Sequence, residues 1–145
     1  MTAGLAFPTP IPFIEHLGMV LTHMQDGACE MAYHERPEHL NTFAVVHGGV
    51  AMTLLDVCMA HAGRSLELEM GIVTVEMKTS CVQPATGNLF CQAKVLHRTR
   101  TMAFTEGSVR NAQGQLCSHA TGTFRYVRRL AVGKAVANLN PGASA

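Results

Sequence analysis

"HGGVAMTLLDVCMAH", residues 47–61, is the stretch from which the fold is read. Two glycines, Gly48 and Gly49, open a segment that is apolar almost all the way round a helical wheel. Leu54, Leu55, Val57, Cys58 and Met59 leave it almost no polar face. A helix of this kind, expected from Gly49 to about Leu68, should be enclosed on most sides. Asp56 stands in the middle of it. A carboxylate buried without partners is costly, so it must be paired, neutralised or put to use. Its helical neighbours are Gly49, Met52, Thr53, Met59, Ala60 and Gly63. None is cationic, and only Thr53 has a hydroxyl to offer.

On either side of the helix the pattern changes to period two. "MVLTHMQDGACEMAYHE" is two alternating runs split by Gln25-Asp26-Gly27, a hairpin signal. After the helix come the runs Ile72–Val82, Leu89–Arg98, Thr101–Asn111 and Gln115–Arg128, separated by turn residues. Residues 8–18 suggest a short helix stopped by Gly18. Antiparallel strands around one very apolar helix make the expected architecture α+β, a curved sheet wrapped around one long central helix. The expected organisation is a single domain over 1–145, with its core at about 15–128 and a peripheral Ala/Gly-rich tail at 131–145.

Composition narrows the function. The chain is 48% hydrophobic and only 14% charged, which suggests that a partner subunit covers apolar surface. A net charge of +1 weighs against nucleic acid as a partner. The five cysteines are scattered without a CxxC, and read as buried thiols in a reducing cytosol. The N-terminal stretch has neither a basic region nor a long apolar run, and no segment is long and clean enough to span a membrane. The expectation is a cytoplasmic protein. No His, Cys, Asp or Glu group has metal-ligand spacing, so no metal is expected. Charge is uneven along the chain. Residues 1–93 hold nine of the ten acids, whereas from Lys94 onward eight bases face only Glu106. Either these bases line solvated strands, or they serve a polyanionic small ligand.

The helix start carries the chemistry. Its first amides are unpaired and bear partial positive charge. Gly48 and Gly49 strip away side chains, so a carbonyl oxygen can dock there and be polarised. The same glycines could instead serve only a tight turn into the helix. Asp56 then reads as a nucleophile or general base. It lies about 10 Å along the axis from Gly49 at ~1.5 Å per residue. A reacting carbonyl needs contact at about 3–3.5 Å, so one copy cannot supply both groups. If both serve one reaction, Asp56 comes from a second copy, and catalysis implies a homodimer with two equivalent interface sites.

Asn41, "VVHGG", "LLDVCMAHAG" and "GIVTVEMKTSCVQPA" together resemble the hotdog-fold acyl-CoA thioesterases, most closely the PaaI-type group of the 4-hydroxybenzoyl-CoA thioesterase superfamily. The match spans roughly residues 15–128, and the Asn-to-His-Gly-Gly and His-to-Asp spacings both agree. The resemblance implies a hotdog fold, an acyl-CoA substrate, and a homodimer joined sheet edge to sheet edge that pairs again into a dimer of dimers. It implies that the Gly48 N–H, with the His47 region, polarises the thioester carbonyl. The partner's Asp56 would attack the carbonyl or activate water. Asn41 and Thr74 would position water or the thioester. It places nucleotide binding near "HRTRTMAF", making Arg98, Arg100 and Arg125 candidates for the coenzyme A phosphates. No cofactor is implied beyond coenzyme A as part of the substrate. Phe13, Phe43, Met52, Leu55 and Met59 either line an acyl pocket or form core. The alternatives are a hotdog hydratase or dehydratase and a non-catalytic acyl-CoA-binding module; no His-Asp-x-Phe pattern supports the former.

Overall fold

The computed structural model describes residues 4–128, so the expected tail at 131–145 lies outside the described residues, as do Arg129 and Lys134. A short helix α1 (Pro12–Leu17) starts on a proline, which needs no N–H there, and ends at Gly18 with φ 72°. Strands β1 (Val20–Gln25) and β2 (Ala28–His34) form the expected hairpin. Its two turn residues, Asp26 (φ 52°) and Gly27 (φ 82°), are both left-handed, as the tight hairpin twist requires. The long helix α2 (Gly48–Arg64) follows, then β3 (Met70–Cys81), β4 (Asn88–Arg98), β5 (Met102–Asn111) and β6 (Leu116–Arg128). All strands join one antiparallel sheet in the order β1-β2-β4-β5-β6-β3. This is the expected α+β hotdog arrangement.

Alternation along the strands builds the core. Cys91, Val109 and Phe124 point inward and are fully buried, against Leu54, Leu55, Cys58 and Met59 of α2. Gln92, Lys94, Glu106 and Arg110 point outward from the same strands. Gly107 and Gly122 let the helix lie close. A Cβ on Gly107 would stand 3.2 Å from Leu55 and Met59, and one on Gly122 would stand 3.1 Å from Met59.

Two expectations about α2 need correction. The helix stops at Arg64, not near Leu68. Leu66 and Leu68 continue the apolar pattern, but the Ser65 hydroxyl donates to Ala62 O and the Tyr126 hydroxyl donates to Gly63 O, satisfying the last carbonyls and ending the helix. Nor is α2 enclosed on most sides. The curled sheet covers one side, while Gly49 and Met52 stay exposed and Thr53, Asp56, Val57 and Ala60 half-buried along the other. That uncovered stripe borders β3, an edge strand whose only pairing among the described residues is to β6. No helix among the described residues is long and apolar enough to cross a membrane.

Candidate active site

The loop before α2 is fixed from several directions. The His39 ring is hydrogen-bonded to the Tyr33 hydroxyl at 2.6 Å, and His39 O accepts from the His47 N–H. Val46 N–H donates to Ala85 O. Asn41 Oδ1 accepts from the N–H groups of Phe43 (2.8 Å) and Val45 (3.3 Å). The carboxamide oxygen of Asn41 therefore holds its own loop, and only its NH2 is left to address a ligand.

His47 is the N-cap of α2. Its Nδ1 accepts the Gly49 N–H at 2.8 Å. An accepting Nδ1 carries no proton, so this nitrogen is a cap and not a proton donor. The expectation of two bare glycine amides is thereby halved: Gly49 is capped by imidazole. Gly48 N–H has no acceptor among the described residues. Neither glycine has positive φ, so the backbone does not demand glycine at either position. A Cβ on Gly48 would meet only Cys81 Sγ, at 3.8 Å, whereas one on Gly49 would press on His47 Nδ1 at 3.0 Å. Space in front of the Gly48 amide is what its missing side chain provides, and this weighs against a turn-only role. The amide opens into a cleft of about 360 Å³ lined also by Asn41, Cys81, Gln83 and Ser118.

Asp56 lies eight residues on, half-buried. Its hydrogen-bond partner is not Thr53, whose hydroxyl donates to Gly49 O at 2.8 Å. Thr74 of β3 reaches over from the sheet, and its Oγ1 donates to Asp56 Oδ1 at 2.6 Å. Thr74 is thus brought to the carboxylate, whereas the resemblance gave it water or the thioester to position. Asp56 faces a second cleft, of about 430 Å³, bounded by Ile11, Val57, Ala60, Ile72, Val73 and Arg64 among others. The two halves of the expected site therefore open into different clefts. Cys81 at the end of β3 borders the Gly48 cleft, and Gly71–Thr74 near its start border the Asp56 cleft.

The three candidate phosphate-binding arginines share one end of the sheet but are not equivalent. Arg98 donates to Glu67 Oε1 at 3.1 Å and lies over the Tyr126 ring at 4.7 Å. Arg100 sits exposed in the β4–β5 turn, and Arg125 points outward from β6, between inward Phe124 and Tyr126. Lys94 is paired with Glu106 on the outer face. The basic half of the sequence is thus divided between structural pairs and free positions. Leu55 and Met59 are core, whereas Phe13, Phe43 and Met52 are exposed. Sequence reading overlooked Gln83 as a neighbour of Gly48, and Arg64 as a neighbour of the Asp56 cleft.

Comparison with known proteins identifies the family and the fold. The family model of the thioesterase superfamily matches residues 43–118, the segment from the Asn41 loop to β6. Human acyl-coenzyme A thioesterase 13 is 33% identical over 98 residues, covering 66% of this chain and 69% of the human protein. A conserved protein of Pseudomonas aeruginosa superposes with a TM-score of 0.79 at 28% identity, over 83% of this chain and 97% of its own. The PaaI protein from the phenylacetic acid degradation operon of E. coli shares the fold, with a TM-score of 0.76 at 19% identity over 81% of this chain and 85% of its own. The open Gly48 amide and the hydroxyl-held Asp56 carboxylate stand within the matched family segment, and the chain belongs to the thioesterase superfamily as a thioester hydrolase.

Proposed function

We propose that the protein hydrolyses an aryl- or medium-chain acyl-CoA to the free acid and CoA, in sites shared between two copies of the chain. One observation carries this reading. The Gly48 amide and the Asp56 carboxylate open into separate clefts at opposite ends of β3, whose outer edge is unpaired among the described residues. Antiparallel pairing of β3 with a second copy about a two-fold axis lays the start of one strand against the end of the other. Asp56 of one copy then meets Gly48 of its partner. The uncovered stripe of α2 is buried in the same step, which accounts for the high apolar content.

In such a site the thioester oxygen accepts the Gly48 N–H at the positive end of α2. Thr74 holds Oδ1 of Asp56 and leaves Oδ2 to take a proton from water as it attacks the carbonyl carbon. The tetrahedral oxyanion collapses, the C–S bond breaks, and CoA leaves as a thiolate that is protonated from solvent. The Asn41 NH2 is placed to orient the thioester or the water. Arg100 and Arg125, which have no ion pair among the described residues, are the candidates for the coenzyme A phosphates, while Arg98 supports that end of the sheet through Glu67 and Tyr126. The reaction needs no cofactor.

The test is release of free CoA thiol from an acyl-CoA panel by the wild-type protein and by Asp56→Ala. Loss of turnover in a variant that keeps the fold and assembly of the wild type is the expected result. Full activity in that variant overturns the mechanism.

A further inference from the structure

The Gly48 cleft holds a reactive group that hydrolysis does not use. Cys81, the last residue of β3, is exposed, while Cys29, Cys58, Cys91 and Cys117 are buried. Its side chain lies on the inner face of the sheet, toward α2: a Cβ on Gly48 would stand 3.8 Å from its Sγ. Ser118 of β6 is its directly opposed partner. Opposed side chains share a face, with Cβ atoms about 4.5–5.5 Å apart. Ser118 is only 2% exposed, and its hydroxyl has no hydrogen-bond partner among the described residues. It borders the same cleft. A buried hydroxyl left without a partner costs free energy unless a ligand or water satisfies it. A thiol, an unpartnered hydroxyl and the Gly48 amide thus surround one space of about 360 Å³.

The chemistry of the walls limits what that space accepts. Cys81 is the only ionisable side chain bordering it among the described residues. The other walls are apolar, as at Val45, Ala51 and Val82, or carry uncharged hydrogen-bonding groups, as at Asn41, Gln83 and Ser118. The pantetheine arm of coenzyme A has the same character, methylenes interrupted by amides, with no charge. Glutathione is the opposite case, since its carboxylates and ammonium would lose water there and find no counter-charge. With the thioester oxygen on the Gly48 amide, the CoA sulfur is one bond from the carbonyl carbon, and so within reach of Cys81. Pairing of β3 with a second copy uses the backbone groups of its edge and leaves open the cleft that the substrate has to enter.

We propose that Cys81 is a modification site for coenzyme A: a CoA disulfide enters as the substrate does, and exchange leaves CoA bound to Cys81 across the Gly48 cleft. The Cys81 thiolate attacks one sulfur of the disulfide, and the new S–S bond forms as the old one breaks. The second CoA leaves as a thiolate and takes up the proton that Cys81 lost. Cys81 is oxidised and the departing CoA sulfur is reduced, so no further oxidant is needed. The bound pantetheine excludes the thioester, and hydrolysis stops until a dithiol reverses the exchange. This rests on the proposed function, since that reading brings coenzyme A to the Gly48 cleft.

The experiment treats the wild-type protein with CoA disulfide or glutathione disulfide at equal concentration, and follows intact mass, the modified peptide and acyl-CoA turnover. CoA disulfide is expected to add one CoA per chain, at Cys81. It is expected to react about tenfold or more faster than glutathione disulfide, because binding raises the effective concentration of the reacting sulfur. Turnover is expected to fall in step with the gain in mass and to return with dithiothreitol. Cys81→Ser is expected to gain no CoA and to keep its own untreated turnover throughout the treatment. Equal rates with the two disulfides would mark an exposed thiol without a site, and overturn the inference. No adduct, CoA on a different cysteine, or CoA on Cys81 with turnover unchanged also overturns it. Untreated protein that hydrolyses no acyl-CoA is a different result, one that removes the proposed function itself.

Discussion

Thr74 Oγ1 donates a 2.6 Å hydrogen bond to Asp56 Oδ1, tying the one acid of the central helix to the edge strand of the sheet. The bond fixes which carboxylate oxygen is left for chemistry. Removing it with Thr74→Val is expected to lower kcat about 10- to 100-fold, since a hydrogen bond to a charged group contributes about 1.5–3 kcal/mol. Thr74→Ser keeps the hydroxyl and is expected to stay within about threefold of wild type on the same scale. Steady-state kinetics on the best acyl-CoA check this. A loss in Thr74→Ser with none in Thr74→Val would show that the methyl group matters and the hydroxyl does not.

The paired glycines at the start of α2 have separable jobs. At Gly48 a Cβ meets only Cys81 Sγ, in ordinary contact at 3.8 Å, so Gly48→Ala is expected to fold with an unchanged or higher Tm. Its methyl stands before the free amide, and activity is expected to drop about tenfold or more, as for loss of an oxyanion donor's access. At Gly49 a Cβ presses on His47 Nδ1 at 3.0 Å and displaces the cap. Gly49→Ala is expected to cost about 1 kcal/mol, or roughly 4 °C in Tm. Thermal melts beside activity assays separate the two.

Stability should have an acid and an alkaline limb. Burial is the main cause holding His61 below its ordinary pKa of 6.5, the Arg64 charge adds to it, and the bond to Val57 O opposes it. The unfolded chain therefore binds a proton that the folded protein refuses. Stability is fully present above about pH 6.5 and falls as pH drops through that value, by up to about 1.4 kcal/mol per unit. At the other end burial pushes the Cys58 thiol well above its ordinary value of 9.0, and Cys29, hydrogen-bonded to Cys58, is raised too. Here the folded state keeps protons that the unfolded chain releases, so stability declines above about pH 9. Urea midpoints between pH 5 and 10 measure both limbs, and His61→Gln is expected to flatten the acid one.

How far the sequence could be read depended on how local the deciding physics was. Gly18 as a helix stop and Asp26-Gly27 as a hairpin turn were legible because a backbone conformation demands them at that spot. The end of α2 was not, because Leu66 and Leu68 extend the apolar pattern while Tyr126, sixty-three residues from Gly63, supplies the terminating hydroxyl. Thr74 was visible only through the family resemblance. Its bond to Asp56 spans eighteen residues and depends on how the sheet curls. The stripe left open on α2 was hidden by averaging: a helical wheel counts apolar residues but does not say which face a curled sheet will miss. The arginines divided for a similar reason, since Arg98 found Glu67 and Tyr126 through folding and Arg125 was turned outward by strand alternation.

Sharing of the site between copies makes a prediction that no single-chain mechanism makes. Asp56→Ala removes the base from both sites of a homodimer, and Gly48→Val blocks the amide in both, so each variant alone is expected to be inactive. In a mixed dimer one site combines the intact Asp56 of one chain with the intact Gly48 of the other, and the second site carries both lesions. If the two variants are co-refolded in equal amounts, random pairing makes half the dimers mixed, and each has one working site of two. Recovered activity should approach about one quarter of wild type at equal total protein. Simple mixing of folded variants should recover it only as fast as subunits exchange. Were Asp56 and Gly48 to act within one chain, no combination of the two variants would restore turnover. The size of the recovery therefore reports directly on which copy lends the acid.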